Sequence, residues 1–248
     1  MEILSPQNPL IKQIRKAVAR GGLTDDGLAV AEGVHVLEEA SSAGCVVEDV
    51  LVSESAFDKF DLPDARVVSD SVFRDLSSTE TPQGVLALVR PRAFSLDQIV
   101  TGTALVVVLD GVQDPGNAGA IIRAAEAFGA TGLIFLKGTV NAFNPKCIRG
   151  SAGSVFRIPL VTGVTEDVLL ASGISLYAAM PHAEKLLSDV DFTSACAIVI
   201  GSEGRGVSDS LAACAQGFRI PTSHVESLNA AVAAGVILYQ ASRQRGKS

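Results

Sequence analysis

Three short segments gather the residue types that could do chemistry. The first, Asp110-Gly111-Val112-Gln113-Asp114-Pro115-Gly116-Asn117-Ala118-Gly119, joins a strong turn signal to Asn117, which predicts an N-cap for the helix that follows. A capped turn would by itself account for Asp-Pro-Gly-Asn. Arg123 adds a second feature. Helical side chains lean back over positions i−3 and i−4. Gly119, which costs ~1 kcal/mol relative to alanine inside a helix, therefore clears a path along which the Arg123 guanidinium could reach a crevice at the strand ends. The alternative is an ordinary surface arginine. The second segment, Gly201-Ser202-Glu203-Gly204-Arg205-Gly206, sets a carboxylate among glycines that allow a ligand close to the backbone. The third, Ile220-Pro221-Thr222-Ser223-His224-Val225-Glu226-Ser227-Leu228-Asn229, brings a hydroxyl and an amide to a helix start, and capping explains one of these but not both. A cation, a carboxylate, an amide and a hydroxyl can bind and orient a ligand. No histidine lies in the first two segments to serve as an ordinary base.

The rest of the composition excludes several classes. The second segment is neither G-x-G-x-x-G nor a P-loop, which disfavours a dinucleotide-dependent oxidoreductase. Cys45, Cys147, Cys196 and Cys214 form no CxxC pair and the three histidines are scattered, so neither a metal centre nor a disulfide framework is expected. The 248 residues are 48% hydrophobic and 19% charged, ample for a folded core. No signal-peptide h-region and no apolar run long enough to span a bilayer are seen, so a soluble cytoplasmic protein without a membrane partner is expected. The net charge of −7 argues against nucleic-acid binding by bulk positive charge but leaves room for a local basic surface.

The elements that must position these segments alternate. Residues 1–94 hold 9 basic and 15 acidic side chains, residues 95–248 hold 11 and 12, and Arg90-Pro91-Arg92 lies between two apolar runs as a natural joint. This predicts domains at residues 1–92 and 98–248. The first reads as a small α/β sandwich. It has helices at 9–20, 34–42 and 70–76, the last capped by Asp70, and strands at 28–31, 46–52, 66–68 and 84–89. The second reads as an α/β domain with a mostly parallel sheet. Its strands are expected at 104–109, 132–136, 174–179, 197–200 and 218–220, and its helices at 117–128, 145–153, 207–215 and 226–242. Ligands in such sheets sit at the carboxyl ends of strands, where the three segments fall. The last helix is apolar nearly all round, which predicts burial on every side, one face against another subunit.

The stretches DPGNAGAIIRAAEAFG, IVIGSEGRGVS and IPTSHVESLNAAVAAGVILYQ resemble, in order, the three motifs of the SpoU (TrmH-type) RNA ribose 2′-O-methyltransferases, over roughly residues 104–242. SPQNPLIKQIRK, AEGVHVLEEA and TPQGVLALV more weakly resemble the substrate-binding domain that often precedes them, itself similar to ribosomal proteins of the kink-turn-binding type. The resemblance implies a C-terminal domain carrying a trefoil knot of the SPOUT type and S-adenosylmethionine as cofactor; the apolar C-terminal helix makes a homodimer through that helix the expected assembly. By motif position it implies Asn117, Arg123, Glu203, Ser227 and Asn229 as catalytic. Met180, Gly201, Glu203, Gly204, Ile220, Pro221, Leu228 and Asn229 would hold the cofactor. Thr222 and His224 depart from the third motif, and Ala124 replaces a usual threonine in the first.

On that reading Arg123 would stabilise the developing alkoxide and grip a neighbouring phosphate, because arginine stays protonated. Asn117 and Ser227 would position the ribose, and Glu203 would orient Arg123 or a proton-accepting water. Two acid-poor basic clusters suggest an RNA track: Lys12, Arg15, Lys16 and Arg20, and Lys137, Lys146, Arg149 and Arg157. Lys12, Arg15, Lys16, Lys146 and Arg149 are its candidate contacts, one cluster on each domain. With aromatic content of 5% and no tryptophan, recognition by RNA shape and ribose contacts is favoured over base stacking. The expected substrate is ribosomal RNA. The alternatives are the same reaction on transfer RNA, and a non-catalytic RNA-binding or ribosome-assembly factor on the same fold.

Overall fold

A computed structural model describes residues 3–246. The chain divides into two compact units, one of Met1–Arg92 with Asn141–Arg157 and one of Ala93–Val140 with Ile158–Ser248.

The first unit begins with β1 (Ile3–Leu4), α1 (Pro9–Arg20), β2 (Ala29–Glu32), α2 (Val34–Ser42), β3 (Val46–Ser53), β4 (Arg66–Val68), α3 (Asp70–Leu76) and β5 (Val85–Arg90). Helix α1 starts where Asn8 accepts a hydrogen bond from the Leu10 amide and Pro9 supplies a preset φ. It stops at Gly21, whose φ of +65° is the left-handed cap that glycine adopts without strain. Helix α3 is capped by the Ser69 hydroxyl, not by Asp70, which is its first residue. The five strands run in the order β1-β4-β3-β5-β2, with β5 antiparallel to both neighbours. One core holds Ile11, Ile14 and Ala17 of α1 against Val72, Phe73 and Leu76 of α3 and the inner faces of β2, β3 and β5.

The second unit opens with α4 (Leu96–Ile99), β6 (Leu105–Asp110), α5 (Pro115–Ala127) and β7 (Gly132–Leu136). The chain then contributes α6 (Pro145–Gly150) and α7 (Ser154–Arg157) to the first unit, where α6 packs on β2 and α7 on α2. Periodicity expects one helix over 145–153. The break falls at Ala152 and Gly153, both with positive φ, so a helix cannot run through. This segment packs with the first unit although its sequence position lies inside the second expected domain.

Returning to the second unit, the chain forms β8 (Leu160–Val164), α8 (Glu166–Ala171), β9 (Ser175–Ala179), β10 (Cys196–Gly201), α9 (Asp209–Cys214), β11 (Gln216–Phe218) and α10 (Ala230–Gln244). The sheet order is β11-β9-β10-β6-β7-β8, and every pairing is parallel. The fold is therefore the expected α/β class with a parallel sheet. From Leu105 to Leu109, β6 is fully buried, as a central strand covered on both faces must be.

Helix α10 starts at Ala230, four residues later than expected. One face is buried through Ala234, Ile237, Leu238 and Ala241. The other is not buried within this chain: Val232, Val236 and Tyr239 are 53%, 40% and 53% exposed at helical spacing, leaving the face that the sequence reading assigns to another subunit. Its far end is anchored at Arg245. The guanidinium donates to the carbonyls of Phe192 (2.6 Å), Thr103 (2.7 Å), Ala104 (3.1 Å) and Ser194, while Gln244 exchanges bonds with Phe192 N and Val190 O. No described helix is long and apolar enough to cross a membrane.

Candidate active site

Helix α5 is capped by Asp114, whose carboxylate accepts from the Asn117 amide nitrogen at 2.7 Å, with Pro115 at the first helical position. The sequence reading makes Asn117 the cap. In the structure it is three residues inside the helix, and the difference matters, because its side chain is released from capping. The Asn117 Nδ2 donates to Glu203 Oε1 at 2.6 Å, and its Oδ1 accepts from Asn229 Nδ2 at 3.1 Å. Asn229 works at both ends as well: its Oδ1 caps α10 by accepting from Ala231 N (2.9 Å) and Val232 N (3.3 Å). Both amide orientations are thus set by their partners. A chain Asn229–Asn117–Glu203 joins the three sequence segments.

The loop carrying Glu203 is shaped by Gly201. A Cβ there would lie 2.1 Å from Gly206 C and 2.3 Å from Val207 N. Only glycine permits residues 202–206 to fold back so tightly, with Ser202 and Gly206 exchanging backbone hydrogen bonds of 3.0 and 2.9 Å. Asp110 at the end of β6 accepts from Ser208 N at 2.7 Å and ties the loop's far side to the neighbouring strand.

Beside this chain lies a cavity of about 420 Å³ at the carboxyl ends of β9 and β10. Met180, Gly201, Glu203, Gly204, Ile220 and Leu228, which the resemblance assigns to the cofactor, line it together with Ser227. Pro221 and Asn229, expected to hold the cofactor, do not line it. Four ionisable lining side chains were not anticipated: His182, Arg205, Arg219 and Glu226. For the first three, a position just past a strand end was the available signal. Thr222 also lines the cavity, and its hydroxyl donates to Val225 O at 2.6 Å, closing the loop ahead of Ser227.

Arg123 stands apart. It is exposed, and among the described residues it makes no hydrogen bond or ion pair. The expected reach into the crevice is not made within the protomer. The helix explains this: six residues past Asn117 is about 240° around the axis, so the two side chains leave α5 on different faces.

The five candidate RNA contacts all lie in the first unit, because α6 packs there. Lys12 and Lys146 are exposed and make no ion pair among the described residues. Arg15 pairs with Asp75 at 3.8 Å and Lys16 with Asp25 at 2.7 Å. Lys16 and Arg20 hold the Asp25 carboxyl below its usual range by hydrogen bonding to it. The acid-free run 12–20 is thus partly neutralised by acids that the fold brings from elsewhere. Arg149 is exposed and donates from Nη1 to Ser78 Oγ at 3.0 Å.

Residues 104–239 match the SpoU rRNA Methylase family, and residues 8–87 match the MRM3-like substrate binding domain. An uncharacterized tRNA/rRNA methyltransferase of Synechocystis is 34% identical over 98% of this chain and 94% of the relative. The 23S rRNA (guanosine(2553)-2′-O)-methyltransferase RlmP of Bacillus subtilis is 30% identical over 96% of this chain and 98% of the relative. The crystal structure of the SpoU methyltransferase AviRb from Streptomyces viridochromogenes, in complex with the cofactor AdoMet, superposes with a TM-score of 0.83 at 30% identity, covering 98% of this chain and 100% of that one.

Proposed function

The chain belongs to the SpoU rRNA methylase family, and on that premise we propose that it uses S-adenosylmethionine to methylate a ribose 2′-hydroxyl of ribosomal RNA in the cytoplasm. The observation that carries the reading is the chain Asn229–Asn117–Glu203 at the rim of the cavity, since it holds one residue from each motif in a single hydrogen-bonded array.

The cavity suits the cofactor. Its volume lies within the ~300–1,000 Å³ usual for small-molecule sites. A sulfonium is a cation, and Glu203 and Glu226 put carboxylates on the wall; Arg205 and Arg219 are placed for the carboxylate of an amino-acid end. The backbone at Met180, Gly201, Ile220 and Leu228 would hold the rest. When bound, S-adenosylmethionine supplies an electrophilic methyl group.

The chain's own residues act on the sugar. Asn117 occupies Glu203 Oε1 and so fixes the carboxylate, leaving Oε2 to accept the hydroxyl proton directly or through a water. Ser227, exposed on the cavity wall, would hold the ribose. Arg123 does not reach this site in its own protomer; it would meet the RNA at the site of a second copy, stabilising charge on the sugar oxygen and gripping a flanking phosphate. Orientation of this kind supplies several kcal/mol of a barrier.

Two further parts belong to the proposal. A second copy covers the stripe Val232, Val236 and Tyr239. The RNA runs over a basic surface shared by α1 and α6: a Cβ on Gly21 would sit 2.4 Å from Asn144 Nδ2, so the end of α1 abuts the cap of α6. The trefoil knot is inferred from the family alone.

The test is methyl transfer from labelled cofactor to ribosomal and transfer RNA transcripts, followed by mapping of the modified riboses. Label in ribosomal RNA at a 2′-oxygen is expected. Transfer to transfer RNA alone selects the other substrate, and cofactor binding without transfer to either leaves the assembly-factor reading.

A further inference from the structure

Glu32, at the end of β2, is half-buried and accepts four hydrogen bonds from one loop. Its Oε1 takes Thr79 Oγ1 (2.8 Å) and the Ser77 hydroxyl; its Oε2 takes Ser78 N (2.9 Å) and Ser78 Oγ (2.9 Å). Hydroxyls that could have met a ligand are used up holding the loop. Ser78 does one thing more: its oxygen accepts from Arg149 Nη1 at 3.0 Å, and its carbonyl lies 3.5 Å from the same nitrogen. A relay Glu32–Ser78–Arg149 therefore links β2 to the exposed face of α6, all within the first unit.

We propose that Ser78, itself held by Glu32, is a positioning residue for RNA binding that keeps the Arg149 guanidinium ready for a phosphodiester. The inference rests on the RNA-binding reading of Arg149 given above. A guanidinium has five N–H donors in a fixed fork. Ser78 engages Nη1, and among the described residues Nη2 and Nε make no hydrogen bond. The free Nη2–Nε edge is the one that binds a phosphate in bidentate fashion. Glu32 makes no ion pair with Arg149, so the charge remains available to RNA. Lys146, three residues earlier on α6, shares the same helix face. Together they offer one point charge and one oriented fork to consecutive phosphates. Arginine has much rotamer freedom to lose on binding, and an anchor already made in the free protein reduces that cost.

The relay is tested with the full-length Ser78→Ala, Ser78→Thr, Arg149→Ala and Ser78→Ala/Arg149→Ala proteins. RNA affinity is measured against salt on the transcript that the wild type methylates. Ser78→Ala keeps the positive charge, so the salt slope should hold while the dissociation constant rises about three- to tenfold, the cost of ordering one long side chain. Arg149→Ala should reduce the slope by about one. Ser78→Thr, which keeps the hydroxyl, should bind like wild type, and the double variant should bind no more weakly than Arg149→Ala. Saturating turnover and cofactor affinity should be unchanged in Ser78→Ala. Wild-type affinity in Ser78→Ala, or simple additivity in the double variant, overturns the relay. An Arg149→Ala protein that binds RNA normally while the wild type methylates it removes Arg149 from the RNA surface, and the relay with it. A wild type that methylates no RNA overturns the reading on which both stand.

Discussion

Asn117 and Glu203, 86 positions apart, are joined by a 2.6 Å hydrogen bond from the amide to the carboxylate, and the bond exists because Asp114 rather than Asn117 caps α5. Capping and site geometry are coupled here: a helix beginning at Asn117 would engage its side chain in the backbone. Replacing Asn117 with alanine should leave the fold intact, since the cap remains. It should also free Glu203 and Asn229 together. Methyl transfer should fall about a hundredfold, the scale of a misplacement near 1 Å. Cofactor binding measured by calorimetry should stay within a few-fold. A kcat within a factor of three of wild type removes Asn117 from the catalytic array.

Arg123 tests the other half of the reaction. It has no partner to lose among the described residues, so Arg123→Ala should not change thermal stability. Methylation should fall about a hundred- to a thousandfold with cofactor affinity retained, because a lost cationic stabiliser costs ~3–4 kcal/mol of barrier. Near-normal turnover in this variant would falsify a role for the guanidinium.

Gly201→Ala probes the loop. The added methyl would meet the Gly206 carbonyl carbon at 2.1 Å, and no flexible side chain is there to yield. The residue 202–206 turn must open, at about 1–3 kcal/mol, and the cofactor should bind at least tenfold more weakly. Titration of the folded variant, with circular dichroism as the check on folding, reads this directly; unchanged affinity would separate the turn from the cavity.

The exposed stripe on α10 gives a fourth expectation. Val236→Glu places a charge at its centre. If a second copy covers the stripe, sedimentation should show a dimer in the wild type and a monomer in the variant. A wild type that is monomeric at micromolar concentration rejects the stripe as a self-association surface.

What could be read from the chain beforehand divides along physical lines. Helix α1 and strand β4 have the expected limits, because Asn8, Pro9 and Gly21 are local signals and β4 is a short apolar run between polar turns. The parallel sheet followed from alternation. Asp114 could have been chosen over Asn117 from Pro115, since proline favours the first helical position. Strand β8 and helix α8 raised no expectation, their residues being mixed in polarity. Where α6 and α7 pack was invisible, because periodicity reports which face of an element is apolar and nothing about what covers it. The same holds for Asp25 and Asp75 against Lys16 and Arg15, and for Glu32 against a loop 45 to 47 residues away. Of the candidate site, the three segments were legible, whereas the links between them and the outward placement of Arg123 were properties of the fold.

Arg245 has a consequence for how the cavity can be filled. Its guanidinium fastens the last turn of α10 to four carbonyls, and from there a rod of 15 residues runs about 22 Å back to Asn229. A bolted rod neither slides nor recoils. Any adjustment to an incoming molecule is left to the residues ahead of Ser227, with the Asn229 end held on Asn117.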